Sequence, residues 1–180
     1  MSRTIRMRRP QQGMMLIEAL IAILIFSIGV LGMIGMGSVA IASQSDAQYR
    51  TEAANYANEM ASTIALAVAR GTYNTATHSF TRDATLDTFS HQEVDGGYCS
   101  FAGAKSTNPL VTDWVSRISG GGGPALSLPG ATDISQQIVV STVPGGYNQV
   151  TISICWWPPS SKNSAIAQVQ SRYTLVTYIN

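Results

Sequence analysis

The chain has 180 residues, 45% of them hydrophobic and only 12% charged, which excludes a disordered chain, a collagen and a disulfide miniprotein. Its near-neutral balance of 11 basic and 10 acidic side chains hides an asymmetry, because Arg3, Arg6, Arg8 and Arg9 all precede Gly13 and leave seven basic against ten acidic groups from Met14 onward. The remaining cations, Arg50, Arg70, Arg82, Lys105, Arg117, Lys162 and Arg172, are scattered singly, so no basic stripe tracks a phosphate backbone and no nucleic-acid partner is expected.

Residues 1–13 form a basic leader, and Met14 to Ala42 follow as a run of 29 residues in which Glu18 is the sole ionisable side chain. As a helix that run is about 43 Å long, more than the roughly 30 Å hydrocarbon core of a bilayer. Four arginines just ahead of it mark a cytoplasmic flank, so the body is expected outside the cytoplasm, where Cys99 and Cys155 meet an oxidising compartment. A competing reading takes Ala40-Ile41-Ala42 as a signal-peptidase site that releases a soluble secreted domain from Ser43. Against it stand the length of the run, well beyond the roughly 7 to 15 apolar residues of a signal sequence, and a carboxylate near its start. Arg8-Arg9 count as charge only, since Pro10-Gln11-Gln12 gives no further support to a twin-arginine signal.

Glu18 is the informative position. A carboxylate inside an apolar helix costs a few kcal/mol to insert, so a lone one is a functional hypothesis by default. The bland alternative, that Glu18 lies shallow enough to reach headgroups, leaves the spacing unexplained: a cut after Gly13 gives Met14 a new α-amino group four residues before Glu18.

Gly13-Met14-Met15-Leu16-Ile17-Glu18, with a basic leader before and an unbroken apolar helix after, resembles the class III signal of type IV pilins. The resemblance implies that a prepilin peptidase cuts between Gly13 and Met14 and methylates the Met14 amine, and that Glu18 occupies the position that sets subunit register. Met14 stands where the family usually has Phe. Pairing of Glu18 with the Met14 ammonium of an adjacent subunit removes two penalties at once. Gly29, Gly32, Gly35 and Gly37 allow close helix packing or are simply tolerated in lipid. Major pilins usually carry Pro at the place of Gly35, a departure that favours a minor subunit.

After Ser43 the chain turns polar but keeps helical period, with Ala53, Tyr56, Ala57, Met60, Ile64 and Val68 on one face. One helix is expected from about Met15 to about Arg70, stopped by Arg70-Gly71. Residues 72–132 read as a polar connection holding one short helix. In it Asn108-Pro109 supplies cap and first turn, Leu110, Val111, Trp114, Val115 and Ile118 the apolar side, and glycines 120–123 the end. Within the same region His78, Asp83, Asp87, His91, Glu93 and Asp95 fit no standard zinc or calcium spacing and read as a solvated connection.

The sheet is expected over 133–180: Ile134 to Val143, a turn at Pro144-Gly145-Gly146, Tyr147 to Trp157 with Val150, Ile152, Ile154 and Trp156 on one face, a turn through residues 158–164, and Ala167 to Ile179. Trp156 and Trp157 point to opposite faces, one to the core and the other outward. The fold class is therefore α+β, a long N-terminal helix packed on a C-terminal antiparallel meander of three or four strands, and the resemblance implies the pilin fold. Cys99 and Cys155 make either one disulfide or two buried thiols.

Cys99, Asp113-Trp114, Leu128-Pro129-Gly130, Val150-Thr151-Ile152, Cys155-Trp156 and Tyr173-Thr174-Leu175 resemble the layout of PilV-type minor pilins. What this implies is a subunit of the pilus tip or priming complex. Its partners would be other minor pilins and the major pilin through their N-terminal helices, the prepilin peptidase, the inner-membrane assembly platform and a tip adhesin. Before assembly it would be a single-pass inner-membrane protein with a periplasmic head, and afterwards part of the surface pilus. The alternatives are a minor pseudopilin of a type II secretion system and, from another class, a secreted hydrolase or binding domain released after Ala42. No G-x-S-x-G or H-E-x-x-H motif is present, so no enzyme activity, metal or cofactor is expected.

Overall fold

The computed structural model describes residues 12–69, 71–81, 83–95, 97–121, 127–128, 130–143, 147–157 and 170–179. They form two units that divide between Ser43 and Gln44. Helix α1, Gln12–Ala67, supplies the described residues of the first unit and opens the second. The sequence places this helix about three residues later at each end. Its C-terminal end is set from outside: the Val68 N–H still bonds Ile64 C=O at 3.0 Å, but the next, Ala69 N–H, donates to the Asp83 carboxylate at 3.0 Å. Gly71 serves close approach rather than the stop, since a Cβ there would strike the Thr81 carbonyl. Arg70, the other half of the expected stop, lies outside the described residues.

The second unit is α+β. After α1 come a two-residue antiparallel pair, β1 (Tyr73–Asn74) and β2 (Ser79–Phe80), then α2 (Ala84–Asp87), α3 (Pro109–Ser119), β3 (Gln136–Val143), β4 (Tyr147–Trp156) and β5 (Ser171–Ile179). The last three strands form one antiparallel sheet in the order β3-β4-β5. Its registers run from Gln136↔Ile154 to Val143↔Tyr147 and from Asn148↔Ile179 to Trp156↔Ser171. β3 starts two residues after the expected Ile134, which stands in a turn, and β4 stops at Trp156. The expected turns at 144–146 and 158–164, and the proposed strand start at 167–169, lie outside the described residues.

Alternation decides which side of the sheet is core. Ile138 and Val140 from β3, and Val150, Ile152, Ile154 and Trp156 from β4, point to one face and are buried. The α1 residues Ala53, Ala57, Met60 and Ile64, three and four apart, lie in the same cluster, with Val68 just beyond the helix. Helix α3 adds Val111, Trp114, Val115 and Ile118. Each large aliphatic side chain so buried contributes about 1.5 to 3 kcal/mol.

Polar contacts fix how α3 sits on the α1 portion of this unit. The Trp114 indole N–H donates to the Tyr56 carbonyl at 2.9 Å, and the Arg117 fork takes both Glu59 oxygens, at 2.6 and 3.2 Å. Asn108 caps α3 by accepting from Leu110 N–H at 3.0 Å, Pro109 is the first helical residue, and Gly120 ends the helix in the left-handed region at φ 101°. Leu110 departs from expectation: it is 47% exposed, because position two of the helix turns away from the core stripe.

The opposite face of the sheet is covered as well, which the alternation alone did not suggest. Residues 91–106 fold across it. His91 joins the outer edge of β3, exchanging two backbone hydrogen bonds with Ile138 at 3.0 Å, and the residues after it reach the face itself, where Gln137 Nε2 donates to Gln92 C=O at 3.0 Å and Cys99 meets Cys155. Beneath this segment lie Ser153 and Cys155 of β4, both fully buried.

Candidate functional site

In the first unit the stretch Met14–Gly37, 24 residues, is long and apolar enough to cross a membrane. Its large apolar side chains are exposed on every side, from Val30 at 40% to Met33 at 77%. A helix apolar all round needs lipid or other helices as its surroundings. Ser27 shows how a hydroxyl is accommodated there, donating to Ile23 C=O one turn back at 2.7 Å. Among the described residues, no atom outside the local helix backbone comes within 4 Å of a Cβ built on Gly29, Gly32, Gly35 or Gly37, so these positions are open to a neighbour.

Gly13 and Met14 fall in the first turn of α1, and Glu18 lies exposed on the helix one turn beyond Met14. Residues four apart share a helix face, about 6 Å apart along the axis. The structure thus brings Met14 and Glu18 together along one edge of an uninterrupted apolar surface.

The second sequence-derived pair, Cys99 and Cys155, belongs to the other unit. The two sulfurs lie at disulfide distance, with Cα atoms 5.6 Å apart across 56 residues of sequence. With Phe101 they form a small apolar cluster of their own, separate from the main core. Cys99 adopts a left-handed backbone conformation, φ 61°, in the turn that brings residues 94–102 back on themselves, where Ala102 N–H bonds Val94 C=O at 2.6 Å. Trp156 is buried as the alternation predicts, whereas Trp157, expected outward, is half-buried just past the end of β4.

The His and acidic residues of the connecting segment are dispersed into separate local roles. His78 stands in the β1–β2 turn with Nδ1 3.4 Å from the Tyr73 hydroxyl. Asp83 caps α2 through Thr85 N–H at 2.9 Å, and Asp95 accepts from Gly97 N–H at 3.1 Å. Among the described residues no three His, Cys, Asp or Glu side chains converge into a metal-holding group. A groove of about 330 Å³ is lined by Asp87, Thr88, Glu93, Val94, Lys105 and Ser106, among others.

His91 is the member of this set that the sequence could not place. It is 3% exposed, and its Nδ1 accepts from Ser106 N–H at 3.1 Å, so that nitrogen is unprotonated. Burial, with the Lys105 ammonium nearby, pushes the imidazole below its ordinary value, against a smaller opposing pull from Asp133. Asp133 is itself ion-paired with Lys105, whose hydrogen bond holds its carboxyl below the usual range.

The sign follows directly. The unfolded chain takes up a proton at His91 from about pH 6.5 downward, whereas the folded chain resists it. Stability is therefore complete above that pH and declines as pH falls below it. Asp133 and Asp83, both held low, add a second loss below about pH 3.9. In His91→Asn the Oδ1 atom replaces Nδ1 as the acceptor for Ser106. Urea unfolding of the wild type is expected to weaken between pH 7 and pH 5 while this variant stays level; equal slopes would remove His91 as the cause.

Comparison of the chain with protein-family models, with characterised proteins and with solved structures finds no match.

Proposed function

We propose that the chain is a minor pilin, PilV-type, that enters a type IV pilus through its N-terminal helix and works in the tip or priming complex. The observation that carries this reading is Glu18: the sole ionisable side chain between Met14 and Ala42, exposed on an all-apolar helix one turn from Met14, with Gly13 immediately before. Such a surface is costly in water and, with its carboxylate unpaired, costly in lipid too. Cleavage after Gly13 supplies the missing cation on every copy, and pairing between adjacent subunits sets their axial register. The head, with a helix laid on an antiparallel sheet and a disulfide-distance cysteine pair, is compatible with exposure outside the cytoplasm.

On this reading the protein is a single-pass inner-membrane subunit with a periplasmic head, has no enzymatic role, and meets the prepilin peptidase, the assembly platform, other minor pilins, the major pilin and a tip adhesin. Amino-terminal sequencing and intact mass of the membrane-extracted protein test it. The expected result is a chain starting at N-methylated Met14. A start at Ser43 would instead identify a soluble domain released from its apolar segment. A minor pseudopilin of a type II secretion system shares the leader and Glu18 chemistry; loss of twitching with secretion intact in a deletion strain separates the two.

A further inference from the structure

All ten Asp and Glu side chains lie among the described residues. Lys105 and Arg117 engage three of them, Asp133, Glu59 and Asp113, and none is ion-paired with Arg172. Arg172 stands on β5 opposite Cys155 of β4, half-buried at the rim of the segment that covers this sheet face. Its guanidinium carbon lies 5.3 Å from the centre of the Phe101 ring, Nη2 donates to Ser153 Oγ at 3.1 Å, and Nε is buried with no hydrogen-bond partner. Ser153 Oγ is in turn 3.2 Å from Thr174 Oγ1.

A guanidinium carries five N–H donors and is always charged, so among the described residues one hydrogen bond and one aromatic face leave most of its donor capacity unused. Half-burying such a cation without a counter-charge is unfavourable unless a ligand supplies one. The ring and Ser153 hold the group in a fixed orientation. The planar fork suits the two oxygens of a carboxylate, and the exposed Thr174 adds a hydroxyl donor alongside.

The position also bears on where the carboxylate comes from. β5 is the outer strand, and among the described residues no strand pairs with its far side. An extended segment arriving there finds backbone donors and acceptors as well as the cation. We propose that Arg172 and Thr174, on the edge strand β5, form a docking site for an acidic extended segment of a neighbouring protein, whose Asp or Glu pairs with Arg172. This site is independent of the pilus reading, since it concerns only the head.

The test uses the full chain in zwitterionic detergent and two labelled, acetylated and amidated pentapeptides, Thr-Val-Glu-Val-Thr and its central-Gln counterpart, with acetate as competitor. Fluorescence anisotropy is expected to show the Glu peptide binding at least about tenfold tighter than the Gln peptide. Arg172→Met, which keeps an apolar stem over Phe101, is expected to abolish that discrimination. Arg172→Lys, which keeps the charge and loses the fork, is expected to reduce it, and it decides the matter should the Met variant not fold. Equal binding of the two peptides, or discrimination that survives both variants, overturns the site. Acetate competing as tightly as the Glu peptide binds overturns its assignment to a protein segment.

Discussion

Glu18→Ala and Glu18→Val chains are expected to be cut after Gly13, to stay in the membrane, and to be absent from filaments. Each step has a separate physical basis. Neither substitution touches the Gly13-Met14 bond or the leader arginines, so processing is unaffected. Removing the lone carboxylate, a residue type that costs up to about 3 kcal/mol to insert at mid-membrane and less near the end where Glu18 lies, makes the apolar stretch a better anchor. On the pilin reading, assembly suffers because the Met14 ammonium of the adjoining subunit is left uncompensated among apolar helices, a defect of about 3 to 5 kcal/mol when one partner of a buried pair is removed. A penalty of that size lowers incorporation by at least about a hundredfold. Glu18→Asp, shorter by one methylene, is expected to fall between. Immunoblots of sheared filaments against the membrane fraction provide the measurement, and incorporation of the Ala or Val chain at wild-type levels would remove Glu18 from the assembly mechanism.

The features legible in the sequence are those whose causes are local. Asn108-Pro109 announces α3 because a cap and its first turn are decided within four residues, and the structure has the Asn108 side chain on Leu110 N–H. The α1 face from Ala53 to Ile64 and the β4 face from Val150 to Trp156 were readable because their repeats of 3.6 and 2 persist long enough to count. The apolar stretch with its single Glu18 required only composition.

What escaped notice depends on residues far apart in sequence. The cover on the second sheet face rests on Gln137 Nε2 donating to Gln92 C=O and on Phe101 packing under the Arg172 guanidinium, contacts that no window of ten residues contains. Arg70-Gly71 predicts the end of α1, but an acceptor at Asp83, fourteen residues away, takes the Ala69 N–H, a partner that no local capping pattern marks. β1 and β2 pair over two residues each, too short for alternation to register. Of the site residues, Met14 and Glu18 could be read from spacing. Arg172 could not, because an unpaired cation is defined only when the place of every carboxylate is known.

Replacing the cysteines is expected to have the largest effect on the head. Cys99 and Cys155 are 2% and 0% exposed, and a cross-link between them closes a loop of 56 residues in the unfolded chain. Loop-closure entropy assigns such a link about 4 kcal/mol, a large part of the roughly 5 to 15 kcal/mol that stabilises a typical domain. The site adds little packing of its own to fall back on, since the cluster consists of the two cysteines and Phe101 alone. In Cys99→Ala/Cys155→Ala the turn at residues 94–102 is therefore expected to detach from β4 first, exposing Phe101. The fall in stability should be about 3 to 4 kcal/mol in denaturant unfolding. Hydrogen exchange should show early loss of protection at Ala102 and Phe101, while Ile152 in the main core exchanges only with global unfolding. Thiol titration without reductant should find no free thiol in the denatured wild type and two after reduction. Because both sulfurs are buried, reductant acts on the folded protein only as fast as this segment opens. A double-Ala chain as stable as the wild type would show that packing, not the link, holds residues 91–106 against the sheet.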